Sequence, residues 1–174
     1  MMLGPRGQNI LKVLHLLAVY SWVGASFSLL ILWLFGPVPQ SGEELFGMRK
    51  AHNFIAFVAA GNVGSYGTLF TGVAYSLCTN RGFFRHKWVI VKWIITLGII
   101  LLGYFCFAPL HTQLLEHVIQ SGMVVPDDPA YLELMYEYEV LATFVMLLFL
   151  VATILSVYKP WEKTELLRSS RRRG

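Results

Sequence analysis

Charge is scarce in this chain. Lys, Arg, Asp and Glu together make up 14% of its 174 residues, where a soluble domain carries about a quarter. The hydrophobic fraction is 56%, and the mean hydropathy is positive. This composition excludes a disordered chain and an ordinary soluble domain, and it points to a protein whose solvent is a bilayer. Cysteine is rare too. Cys78 and Cys106 are the whole set, which excludes a disulfide-rich scaffold and any C-x-x-C or Cys/His zinc spacing. One ends an apolar run and the other lies deep in the next. On antiparallel helices they fall near opposite faces, beyond the Cα separation of about 7 Å that a bridge tolerates. No Asp or Glu interrupts the apolar runs, which counts against a proton-coupled exporter. An H-E-x-x-H motif, a Ser/His/Asp triad and a Gly-rich nucleotide loop are also missing. The net charge of +4 sits in short loops and at the tail. It therefore reads as a topology signal, and no nucleic-acid partner is expected.

What is present is four apolar runs, each near the roughly 20 residues a spanning helix needs. Val13–Phe35, Phe54–Cys78 and Val140–Tyr158 contain no charged residue, and Trp88–Leu110 contains only Lys92. Open sheets cannot span lipid, and the period-2 alternation of a barrel is absent. The expected fold is all-α: one integral membrane domain over residues 1–174, built as a bundle of four transmembrane helices. The first run is too long for a signal peptide and lacks a cleavage pattern, so it is expected to stay in the mature chain. Arg6, Lys12, Arg81, Arg85, Lys87 and the basic tail 159–174 flank one side. Glu43, Glu44, Asp127 and Asp128 lie on the other, with only Arg49 and Lys50 as cations. The positive-inside rule then places both termini in the cytoplasm, in a cell inner (plasma) membrane with lipid as the surrounding partner. Pro109 is expected to kink or end the third helix. Asp128-Pro129 reads as a cap and first turn, so helices three and four are expected to extend outside as a short hairpin.

Ala60, Gly64, Thr68, Gly72 and Ser76 recur every four residues in the second run, with Gly61 and Ser65 beside them. Such a stripe is a helix-packing face, and it equally leaves room for a flat cofactor such as a porphyrin. Asn62 lies mid-span and needs a partner. Trp33, Trp88, Tyr158 and Trp161 are placed as interfacial anchors. Two ionisable residues lie within spans, His15 in the first and Lys92 in the third, each close to the terminal side. Intramembrane ionisable groups face the bundle interior and mark function by default. Neutral His15 is a candidate ligand to a metal or haem iron, and Lys92 a candidate partner of an anionic ligand group. The alternatives are a histidine satisfied by a backbone carbonyl and a lysine that snorkels. His52 before span two and His111 after span three form a second candidate metal pair at the outer face. His117 is too far along to join them, and His86 reads as part of a basic loop.

Lys12-Val13-Leu14-His15, with Trp22 seven residues after the histidine and then Gly24, resembles the first helix of the CopD and HemJ membrane families. Trp88-Val89-Ile90-Val91-Lys92 resembles the W-x3-K start of HemJ's third helix. Met48-Arg49-Lys50 and Tyr158-Lys159-Pro160 are similar to its helix boundaries. The chain departs from HemJ at Leu30–Trp33 and Gly103–Cys106, which lack histidine, and at Tyr138–Leu141, which lacks proline. The resemblance implies a haem b protein with a redox role, HemJ being an oxidase that converts protoporphyrinogen IX to protoporphyrin IX. It implies His15 as axial ligand, Trp22 beside the cofactor, and Lys92 as the second essential, candidate catalytic residue. A porphyrin or quinone partner follows from the same reading. CopD relatives imply copper handling instead, although Cys and Met clusters suited to copper(I) are not formed. The competing reading is a non-catalytic module or accessory subunit that packs against itself or a larger membrane partner.

Overall fold

The computed structural model describes residues 3–78, 87–122 and 129–158. Four helices long and apolar enough to cross a membrane account for nearly all of them: α1 (Pro5–Phe35), α2 (Gly42–Cys78), α3 (Lys87–Gln120) and α4 (Pro129–Tyr158). No strand occurs among the described residues. His86, Trp161 and the basic tail 159–174 lie outside them.

Every helix runs past its apolar core. Pro5 at the first position starts α1 eight residues before the first apolar run, consistent with the fixed φ of proline at a helix start. α2 begins twelve residues before Phe54, because the polar stretch after Ser41 caps itself. The Ser41 hydroxyl accepts from the Glu44 N–H at 3.2 Å, and the Glu44 carboxylate accepts from the Gln40 N–H at 2.7 Å. This is the reciprocal logic of a capping box. α3 does not end at Pro109. The turns just before it, Gly103–Phe107, are wound as π-helix, a local adjustment of the kind that lets a spanning helix absorb a proline. The helix continues to Gln120 and closes on Gly122, whose φ of +71° is the left-handed conformation glycine adopts at little cost. α3 and α4 thus both extend past their apolar runs, and the extensions pack against each other.

Successive helices are antiparallel. α1 crosses α2 closely: Trp22 meets Gly64, Ala18 meets Gly67, and the Ser21 hydroxyl donates to the Ala59 carbonyl at 3.0 Å. α2 is π-wound over Ile55–Tyr66. The small-residue stripe is divided: Gly64, with Gly67 beside the stripe, turns to α1, while Ala60 and Gly61 border open space. α2 and α3 pack where Gly42–Phe54 meets Ala108–Gln120 and separate towards mid-span.

Two cores result. A mid-span core joins Trp22, Ile99, Val145 and Phe149, with the Trp22 and Phe149 rings edge-on at 5.2 Å. A second core, Leu45, Leu114, Val118, Tyr131 and Tyr138, fills the end of the bundle away from the termini, the distal end. Elsewhere large apolar side chains such as Leu17, Phe27, Ile94, Leu101 and Leu147 face outward. Lipid tails are as apolar as leucine, so nothing drives those residues inward.

Candidate functional site

Two polar layers are set into this frame, one near each end. At the terminal end, His15 comes from α1, Thr71 and Gly72 from α2, and Lys92 and Trp93 from α3. The Thr71 hydroxyl donates to the Gly67 carbonyl one turn back, so it accepts from His15 Nδ1–H at 2.9 Å. That bond leaves the Nε2 lone pair of His15 uncommitted to Thr71. Gly72 stands between His15 and Trp93: a Cβ there would lie 3.5 Å from His15 Cε1 and 3.6 Å from the Trp93 ring. Lys92 is half-buried, and its ammonium donates to the Ser156 hydroxyl of α4 at 2.7 Å. Ser156 passes the bond to the Ala152 carbonyl at 2.7 Å. The lysine is therefore held inside the bundle. One turn above Thr71, the Thr68 hydroxyl is buried and has no hydrogen-bond partner among the described residues.

Trp22 does not join this layer. It lies about 10 Å along α1 from His15 at the helical rise, buried at the crossing with α2.

The distal layer gathers His52 from α2, His111 from α3 and Tyr138 from α4. Both histidines are buried. Their ring centroids are 5.3 Å apart, and His111 lies 5.2 Å from the Tyr138 ring. His52 Nε2 is hydrogen-bonded to the Tyr138 hydroxyl at 2.7 Å. Phe57 and Phe107 flank His111 at 5.8 and 6.3 Å. The Asn53 amide donates to the His111 backbone carbonyl, but neither His111 ring nitrogen has a hydrogen-bond partner among the described residues. Further out, Arg49 donates to the Tyr131 hydroxyl at 3.0 Å, contacts the Met135 sulfur and lies over the Tyr131 ring. His117 faces Tyr131 rather than the histidine pair. The two outer histidines thus meet as the antiparallel packing of α2 and α3 requires. Among the described residues, no three His, Cys, Asp or Glu side chains converge to hold a metal ion. Cys78 and Cys106 are free thiols.

His52 and Arg49 border a small pocket under the Gly36–Pro39 turn. On the other side of the cluster, His111 and Tyr138 close the end of a second cleft, of about 190 Å3, that runs between the helices. Trp22, Ala60, Gly61, Ile99, Gly103 and Val145 are among its walls. The π-wound parts of α2 and α3 form its two lips, where those helices separate.

Thr71, Ser156 and Tyr138 escape a reading of the sequence. Tyr131 and Tyr138 are both buried at a spacing of seven on α4, a periodicity that marks one helix face. Thr71 and Ser156 carry no such signal, since a lone hydroxyl in a span bonds its own helix as readily as a neighbour. No family model, curated protein or solved structure matches the chain.

Proposed function

We propose that the chain is a multi-pass membrane protein that binds haem b at the terminal-end layer and serves a redox role. The observation that carries this reading is the His15–Thr71 pair. A metal-binding imidazole works best when its other nitrogen is held by a second group, which fixes its tautomer and ring orientation, and Thr71 does this for His15. The donor set suits haem: the His15 imidazole would hold the iron and the nearby Lys92 ammonium an anionic ring substituent, beside an orphaned buried hydroxyl at Thr68. When bound, haem supplies a one-electron centre tuned by its axial ligand and burial. Lys92, which donates to Ser156, would hold and orient an anionic edge of that group. The similarity of Lys12–His15 with Trp22, and of Trp88 with Lys92, to CopD and HemJ patterns supports the same reading and extends it to porphyrinogen oxidation.

The test is a reduced-minus-oxidised spectrum of the detergent-purified protein with pyridine haemochrome quantitation. The expected result is a b-type signal near one haem per chain, with at least a tenfold loss of haem in His15→Ala. Thr71→Val is expected to keep haem but shift its spectrum and potential. Full haem occupancy in His15→Ala would sink the assignment.

The distribution of Lys and Arg supports cytoplasmic termini in an inner membrane. A reporter that is active only outside the cytoplasm, fused after Gly174, is expected to be silent. The same reporter in the Gly36–Gln40 turn is expected to be active.

A second reading, a non-catalytic module or accessory subunit with copper-related roles included, is favoured by Asn62. It is exposed in the middle of a span and makes no side-chain hydrogen bond with the described residues. A polar side chain at that depth finds a partner. A colourless protein that co-purifies stoichiometrically with another membrane protein in mild detergent would favour this reading.

A further inference from the structure

We propose that the cleft between α2 and α3 is a binding site for a lipid-soluble quinone, with the quinone ring lodged at His111 and its chain leaving between the two lips. Four observations converge on this class of ligand. The first is access. α2 and α3 pack at the distal end, approach again at Gly72 and Trp93, and separate between, so the cleft opens between them at the level of the mid-span core. A ligand that enters there is dissolved in lipid. The second is a waiting hydrogen-bond group. His111 is 5% exposed, lines the cleft, and offers two ring nitrogens without a partner among the described residues. Its nitrogens are not sealed off as the Thr68 hydroxyl is, so a ligand carbonyl or hydroxyl in the cleft can bond to the imidazole.

The third observation is neutrality. No Lys, Arg, Asp or Glu lines the cleft. A carboxylate or phosphate would be buried there without a counter-charge, which is far more costly than burying a neutral head. Fatty acids, phospholipids and the propionate edge of a haem are disfavoured on this ground. The fourth is shape. Phe57, Phe107, Tyr138 and His52 enclose His111 with ring centroids 5.2 to 6.3 Å away. These are the distances at which aromatic rings attract one another edge-to-face or offset, so the surroundings suit a flat conjugated ring over an aliphatic one. The cleft's volume of about 190 Å3 is below the roughly 300–1,000 Å3 of sites that bury a whole drug-sized ligand, so it takes a single ring-sized head group and leaves the chain outside, between the lips.

Tyr138 and His52 position the head group rather than touch the lipid phase. The Tyr138 hydroxyl is committed to His52 at 2.7 Å, and His52 borders the outer pocket with Arg49. The site does not depend on haem at His15, which lies in the other layer.

The test is a titration of the full chain in maltoside micelles with a decyl-substituted benzoquinone. The readout is quenching of tryptophan fluorescence, to which Trp22 in the cleft wall contributes. Saturable binding is expected, weakened about tenfold in His111→Ala, the loss of one hydrogen bond, and largely restored in His111→Gln. Gly103→Phe is the blocking variant. Gly103 lines the cleft and a Cβ there has nothing within 4 Å, so a larger side chain has room to occupy it. The variant is expected to abolish saturation at an unchanged unfolding temperature. Linear, unsaturable quenching in the native chain would overturn the proposal, as would native affinity in both His111→Ala and Gly103→Phe. Displacement by oleate at equal mole fraction would overturn it in favour of a general acyl-chain groove. Absence of haem from the preparation changes none of these outcomes.

Discussion

Gly64→Val is expected to prevent the bundle from assembling, and Gly64→Ala to weaken it measurably. A Cβ at Gly64 would lie 2.6 Å from Trp22 Cα, 2.7 Å from Trp22 Cβ and 2.8 Å from the Ala59 carbonyl oxygen. Two of these three atoms belong to backbone, which cannot swing aside as a side-chain tip can. Overpacking of a well-filled site costs about 1–3 kcal/mol and sometimes more. In a membrane that loss is not offset by hydrophobic burial, because close backbone approach is itself what holds the helices together. The control is Gly98→Ala. A Cβ there meets nothing within 4 Å, so it is expected to be neutral or to stabilise α3 by up to about 1 kcal/mol through helix propensity. Unfolding by SDS titration, followed by circular dichroism, separates the two. Equal stability of Gly64→Ala and Gly98→Ala would refute the tight crossing. The same crossing sets the distance from His15 to Thr71, so a haem signal is expected to fall with the stability of Gly64→Ala.

Tyr138→Ala is the second substitution with a large expected effect. The ring is 6% exposed and sits in the distal core with Leu45, Leu114, Val118 and Tyr131. Removing a buried aromatic ring costs about 3–5 kcal/mol. Tyr138→Phe keeps the ring and removes only the hydroxyl bonded to His52 Nε2 at 2.7 Å. Its cost is expected to be about 1–3 kcal/mol, the price of an unpaired buried imidazole. The two variants therefore divide packing from hydrogen bonding at one position. If Tyr138→Phe proved as stable as the native chain in the same SDS titration, the His52–Tyr138 bond would carry no structural weight. The aromatic wall around His111 would then be the only role left for this residue.

Helix number and order were legible because a run of twenty apolar residues has few other physical outcomes. The ends of the helices were less so. The Ser41–Glu44 box marks the true start of α2, but a search led by hydropathy passes over a polar first turn. Pro109 argues for a kink or an end, and the helix does not end there, because the π-wound turns of Gly103–Phe107 absorb the proline. The stripe in α2 was readable as a packing face. Its division between α1 and the cleft was not, since that depends on helix rotation against α1.

The candidate site divides in the same way. His15, Lys92, His52 and His111 stand out in the sequence because ionisable groups beside or within apolar runs are rare and costly. Antiparallel packing of α2 and α3 was enough to bring His52 and His111 together. By itself the sequence determined an all-helical, four-span architecture and these conspicuous side chains, since both follow from the transfer of single residues into lipid. Only the tertiary structure decided what the side chains touch. It gave Thr71 to His15, Ser156 to Lys92 and Tyr138 to His52, left His111 facing a cleft, and kept Trp22 apart from His15. Those pairings depend on helix rotation and separation, set by contacts of a few ångströms between residues far apart in the chain. Hydropathy fixes which segments enter the membrane and is silent on how each one turns once it is there.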